Sequence, residues 1–247
     1  MRTNVWTLPR KYKSALIAEN PNAVIAFSTK NDGRLKRKEM KIIQPSYEIM
    51  TPIDGVAILK HIENCGRICY KSEPKITKDS YKNFITHIVR REHFAVLEHF
   101  SISVKFICDR GISHEIVRHR IASYCQESTR YCNYSKDAFQ GEISVIEPLY
   151  LEPGTKGYRI WQGACQSAEN AYFDLLNFGC TPQEARAVLP TSLKTELVMT
   201  ANLREWLHFL KLRTAKTAHP QIRQLAIPLL EDFQKQIPYV FDDIVTE

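Results

Sequence analysis

Between positions 100 and 108 the chain reads FSISVKFIC, in which Phe100, Ile102, Val104, Phe106 and Cys108 alternate with Ser101, Ser103, Lys105 and Ile107. A period of two puts the first set on one face of a β-strand and the second on the other, so this segment demands a sheet with one face in a core. Just upstream, Tyr81, Phe84, Ile85, Ile88 and Val89 recur at helical spacing and predict an amphipathic helix over 77–91. A helix followed so closely by a half-buried strand points to helices packed on a sheet, a mixed α/β architecture.

The flanking segments extend this pattern. MKIIQPSYEIM, from Met40, reads as an opening strand, and Thr51, Pro52 and Asp54 start a helix with Ile53, Val56, Ala57 and Ile62 on its apolar face. A short helix is expected over 111–119, a strand at EISVIEP, and a long amphipathic helix over 157–178 closed by Gly179. Thr181, Pro182 and Glu184 form a capping box for a short helix that ends at Pro190. TSLKTELVMTAN then reads as a strand, LREWLHFLKLR as a helix, and 219–237 as a last helix with Pro228 inside it. The strands are too scattered for regular βαβ repeats, and no Gly-rich fingerprint follows any of them, so a nucleotide would not be held in the Rossmann manner.

Charge is distributed unevenly. Residues 1–39 hold nine Lys and Arg against Glu19, Asp32 and Glu39, which accounts for six of the seven net positive charges of the chain. The remainder is near neutral, so the basic pI is no argument for nucleic-acid binding by the body of the protein. With no sustained period, residues 1–39 are expected to be a basic, disordered extension, and 40–247 one folded domain, with Met40 as an alternative start. Seven scattered cysteines and no long apolar run point to a reducing cytoplasm and no membrane. Cys65 and Cys69 have no partner pair at zinc-like spacing, so no metal site is expected.

The densest chemistry lies in RHRIASYCQESTRY, residues 118–131. Arg118, Arg120 and Arg130 offer planar, bidentate donors suited to phosphate, with Ser123, Gln126, Ser128 and Thr129 adding groups suited to a base or sugar. A solvated turn paired with Glu115 and Glu127 is the plainer alternative. Arg186, Asn202, Arg204, His208 and Arg213 sit further on, in helices or at their edges, and not all of them can share one helical face. Periodicity cannot bring them to the first motif.

In combination and in order, LEH, RHR followed by seven residues and Ser, STRY, ARAVLP and NLREWLHFLKLR closely resemble the flavin-dependent thymidylate synthases, the ThyX family, over about residues 40–244. The resemblance implies a ThyX-type fold with a central, mostly antiparallel sheet flanked by helices. It implies reductive methylation of dUMP to dTMP, with 5,10-methylenetetrahydrofolate as carbon donor and NADPH as reductant through bound FAD. A homotetramer with sites shared between subunits is implied as well. Residue by residue, it assigns His99, Ser101, Arg118, His119, Arg120, Gln126, Asn202, Arg204 and His208 to the cofactor, His208 standing where some members have Asn. Glu115, Ile116, Val117, Arg118, Gln126, Glu127, Ser128, Thr129, Arg130, Arg186 and Arg213 fall to dUMP. Arg213 matches the arginine thought to polarise the pyrimidine and Ser128 lies near the reacting uracil edge; these two are the expected catalytic residues. Cys125 invites the role of nucleophile, yet it occupies an unspecified position of the motif and is expected to be dispensable. A nucleic-acid-binding protein with salt-dependent affinity and no chromophore is the competing class; no specific nucleic-acid partner is expected.

Overall fold

The computed structural model describes residues 40–136 and 141–246; the basic segment expected over 1–39 lies outside them. In chain order the elements are β1 (Lys41–Ile43), β2 (Ser46–Ile49), α1 (Gly55–Ile68), α2 (Ser80–Arg90), β3 (Ser101–Asp109), α3 (Arg110–Ile116), β4 (Ala122–Gln126), β5 (Ser144–Ile146), α4 (Lys156–Asn177), α5 (Pro182–Ala185), β6 (Lys194–Asn202), α6 (Leu203–Arg213) and α7 (Pro220–Gln236). Short 3-10 segments occupy Glu73–Lys75, Phe94–His99 and Arg186–Val188.

A four-stranded sheet in the order β2-β3-β6-β4 is antiparallel throughout, and β1 pairs in parallel with β5 in a separate two-stranded sheet. The alternation at 100–108 has the expected result: Ile102, Val104, Phe106 and Cys108 are fully buried. With Leu197 and Met199 from β6 they form one core with Leu59 and Ile62 of α1, Ile85 of α2, Trp206 and Phe209 of α6, and Leu229 and Phe233 of α7. A second core under α4 gathers Met40, Val145, Tyr172, Phe173 and Leu193.

Two elements differ from expectation. MKIIQPSYEIM is two strands in two sheets, because Pro45 has no N–H for a ladder and a fixed φ. ASYCQ, within the Arg-rich motif, is a strand, β4, on the sheet edge. Pro228 lies inside α7 as expected, facing solvent, where the carbonyl it leaves free can bond to water.

Two contacts fix the helices. Asp109 caps α3 by accepting the Ile112 N–H at 2.7 Å, and its other oxygen accepts Gln221 Nε2–H at 2.8 Å, which ties α3 to α7. At the start of α1, a Cβ on Gly55 would lie 1.8 Å from the Gln236 carbonyl oxygen, so α1 can approach the end of α7 only through glycine. Gly55→Ala is expected to destabilise the fold by about 1–3 kcal/mol, as overpacking against backbone does; urea unfolding of both forms measures it.

Candidate active site

Helix α6 is anchored to the sheet at three points. The Leu203 N–H donates to the Phe100 carbonyl at 3.0 Å, Asn202 caps the helix by accepting the Glu205 N–H at 2.9 Å, and Trp206 Nε1–H donates to the Ile102 carbonyl at 3.1 Å. These bonds decide which stripe of α6 faces the end of α3. Glu205, Phe209 and Arg213, four residues apart, share that stripe.

His119 packs against it. Its ring meets Phe209 edge-on at a centroid distance of 4.8 Å, with Nδ1 3.1 Å from Glu205 Oε1 and Nε2 accepting the Arg213 Nε–H at 3.1 Å. An arginine Nε–H can only donate, so Nε2 must carry the lone pair and Nδ1 the hydrogen, which goes to the Glu205 carboxylate. His119 is therefore neutral. Burial first, then the charges of Arg213 and His208, push its pKa from 6.5 down to about 4. Burial raises the Glu205 pKa, against the opposing pull of His208 and Arg204.

Arg213 makes two further bonds, from Nη1 to Glu115 Oε2 and from Nη2 to the Glu115 carbonyl, each 3.0 Å. Of the five N–H bonds of a guanidinium, three are thus engaged among the described residues and two are left for a ligand. The turn carrying His119 is held from below by Tyr124 of β4, whose hydroxyl lies 3.0 Å from the Ile116 carbonyl oxygen and 2.6 Å from that of His119. Burial and the Glu205 charge push the Tyr124 pKa up to about 12, so it keeps its proton.

Glu205 also lines a cleft of about 1020 Å³. Val89, Phe94, Leu207, Val240 and Ile244 make its apolar wall, while Asn202, Arg204, His208 and Lys211 supply polar and cationic groups. Arg204 is paired with Glu98 at 2.6 Å across this cleft's rim, where both are exposed.

A second cluster surrounds 127–130. Arg186 Nη1 donates to Thr129 Oγ1 at 3.2 Å, and Arg130 Nε donates to Gln183 at 2.9 Å with its guanidinium 5.4 Å over the Tyr131 ring. The Ser128 hydroxyl accepts the Arg130 N–H at 3.3 Å, and Glu127 pairs with Lys194 at 3.0 Å and accepts from Tyr134 at 3.1 Å. ARAVLP and STRY, far apart in sequence, therefore meet.

Other expected site residues are placed differently. Arg118 and Arg120 are exposed and make no ion pair among the described residues. His99 is exposed at the end of its 3-10 turn, with its carbonyl accepting from His61 Nε2 at 3.2 Å; Ser101 is paired in register with Asn202. Ile116 is fully buried, with its carbonyl accepting from the His119 N–H and the Tyr124 hydroxyl, and Val117 packs on the core with its N–H bonded to the Ser113 carbonyl. Gln126 turns its amide inward to Ser113 and Thr195, at 2.9 and 3.2 Å. His119, Glu205 and His208 bring ligand atoms within 4.8 Å of one another, but both nitrogens of His119 are already committed to hydrogen bonds.

The family model described as thymidylate synthase complementing protein matches residues 57–239. The chain belongs to the flavin-dependent thymidylate synthase family. A relative from Mycolicibacterium gilvum bearing that family's name is 34% identical over 217 residues, 81% of this chain and 84% of its own length. One from Geobacter sulfurreducens is 32% identical over 207 residues, covering 76% and 85%. Among solved structures, the UMP/dUMP methylase PolB from Streptomyces cacaoi bound with 5-Br dUMP has a TM-score of 0.67 at 23% identity and covers 84% of this chain and all of its own; it supports the fold.

Glu205 and Tyr124 were not among the residues that the family resemblance assigned. The Asn202-x-x-Glu205 spacing is a capping-box signature, and the interval of four between Glu205, Phe209 and Arg213 marks one face, so the signals were present in the sequence. The depressed pKa of His119 has a consequence for stability. Between about pH 4 and pH 6.5 the unfolded state holds a proton on this ring that the folded state does not, so stability falls as pH drops through that window. Acidification from pH 7 to pH 5 is expected to cost about 2 kcal/mol through His119. His119→Gln should lack this component, as paired urea titrations at the two pH values would show.

Proposed function

We propose that this enzyme carries out the reductive methylation of dUMP to dTMP, with FAD as its flavin, 5,10-methylenetetrahydrofolate as carbon donor and NADPH as reductant. One arrangement carries the proposal: the chain Arg213–His119–Glu205 links an arginine with two uncommitted N–H bonds to the wall of a cleft fit for a large cofactor. The cleft suits a flavin dinucleotide, since its apolar wall matches a planar ring system and Arg204, His208 and Lys211 match an anionic pyrophosphate. When bound, the flavin supplies the transfer of reducing equivalents.

The chain's own residues bind and polarise. Arg213 directs its free N–H bonds at negative charge developing on the pyrimidine, while Glu115 and His119 hold its plane fixed so that little reorganisation is needed. Arg130, on the 127–130 loop, and Arg186, on the 3-10 turn that meets that loop at Thr129, suit the substrate phosphate, and Ser128 lies on the same loop as Arg130. The alternation of β4 turns Cys125 to the face opposite Tyr124 and Gln126, into a shallow groove with Lys105 and Lys194. That places it away from Arg213 and supports a mechanism without an enzyme thiol.

Arg118 and Arg120, exposed and outside the lining of the cleft, suit a site completed by a second copy, in keeping with a homotetramer. Among the described residues no helix is long and apolar enough to cross a membrane; we place the enzyme in the cytoplasm, with 40–247 as its catalytic domain.

Purified protein is expected to be yellow, to bleach on anaerobic addition of NADPH, and to form dTMP when methylenetetrahydrofolate and dUMP follow. A colourless protein that takes up no FAD would remove the proposal and favour an anion or nucleic-acid site. Arg213→Ala should lower dTMP formation by a factor of about 100 or more, as removal of a charge-stabilising donor does, while Cys125→Ala keeps activity. A chain beginning at Met40 is expected to fold and retain turnover, measured by melting temperature and product formation.

A further inference from the structure

We propose that Glu205 is a positioning residue for Arg213, acting through His119, which it holds in the one tautomer that can accept the Arg213 Nε–H. The proposal rests on Arg213 as the arginine that polarises dUMP.

Neutral imidazole has two tautomers, and only the one with hydrogen on Nδ1 leaves Nε2 as an acceptor. Glu205 Oε1, 3.1 Å from Nδ1, selects that tautomer, because a carboxylate can only accept. In the other tautomer an Nε2–H would face the Arg213 Nε–H across 3.1 Å, two donors in opposition. The guanidinium would then keep only its two bonds to Glu115, both at its Nη end, and could swing about them.

The surroundings are built for this arrangement. His119 is 5% exposed and Glu205 6% exposed, so water offers little alternative partner to either. Phe209 sits edge-on to the imidazole on the same helical stripe, and His208 edge-on at 5.5 Å, so the ring cannot rotate freely. The Glu205 backbone N–H is fixed in turn by the Asn202 cap. His119 thus belongs to the machinery through its ring nitrogens, both directed within the chain, while its neighbours Arg118 and Arg120 remain exposed for ligands.

The test pairs a tautomer measurement with kinetics. Nitrogen-15 NMR of histidine-labelled enzyme near pH 7.5 is expected to show His119 neutral with its hydrogen on Nδ1, assigned by comparison with His119→Gln. Glu205→Leu should lose that signature and lower kcat for dTMP formation by about 100-fold, the scale of a small misplacement of a catalytic group. Because Glu205 also lines the cleft, flavin content and the rate of anaerobic flavin reduction by NADPH are measured alongside, and each should fall far less than kcat. Glu205→Gln, whose amide oxygen can still accept from Nδ1–H, should recover most of the loss.

Hydrogen on Nε2 in the wild type would overturn the proposal, as would a folded Glu205→Leu with unchanged kcat. An equal fall in flavin content and kcat would show a structural role and overturn it too. If Glu205→Leu fails to fold, the wild-type tautomer and the Glu205→Gln kinetics still decide. A wild type that makes no dTMP but shows the expected tautomer would refute the function and leave the Glu205–His119 contact standing.

Discussion

The pairing of β3 with β6, from Ser101 against Asn202 to Asp109 against Lys194, is the constraint on which the rest of the molecule depends. Helix α3 leaves one end of this pair and α6 the other, and each folds back over the same buried face. The strands run for about 30 Å, at 3.4 Å per residue. The helices return about 10 Å and 16 Å, at 1.5 Å per residue, so their tips come together over the middle of the sheet. Arg213 meets Glu115 and His119 there because the strand and helix lengths match. A slip of one residue would turn the buried faces outward and move the two tips apart by the length of a side-chain contact.

At that meeting point a cation, a neutral ring and an anion lie in line along one stripe of α6. A buried charge is stable only with its hydrogen bonds made, and each group here completes the next. Glu115 and Glu205 sit on opposite sides of the Arg213–His119 contact, so neither end of the line is left uncompensated. Burial first, and then the second cation that protonation would place 3.1 Å from Arg213, make the His119 ring resist acid.

Much of this was legible in the sequence. The alternation at 100–108 announced the central strand, and the helical stripes announced the layer above it, because both patterns reflect burial on one side. The family motifs named Arg213, Glu115 and His119, and the structure brings those three into contact. Less legible were features set by tertiary partners. ASYCQ is five residues with a half-exposed apolar face, too short for its period to stand out, and β4 exists because β6 offers it a free edge. Pro45 hid inside an apolar run whose halves pair with different strands. Glu205 is legible only through its spacing to Asn202, Phe209 and Arg213, because its partner His119 lies on another element.

Ile244 and Val245, at the end of the described chain, form part of the wall of the large cleft beside Val240 and Asp243. This stretch, distant in sequence from β3 and β6, is thereby a structural component of the cleft. A substitution at Ile244 or Val245 would reshape that wall directly. The shape of the cleft thus depends in part on residues that belong to none of the family motifs.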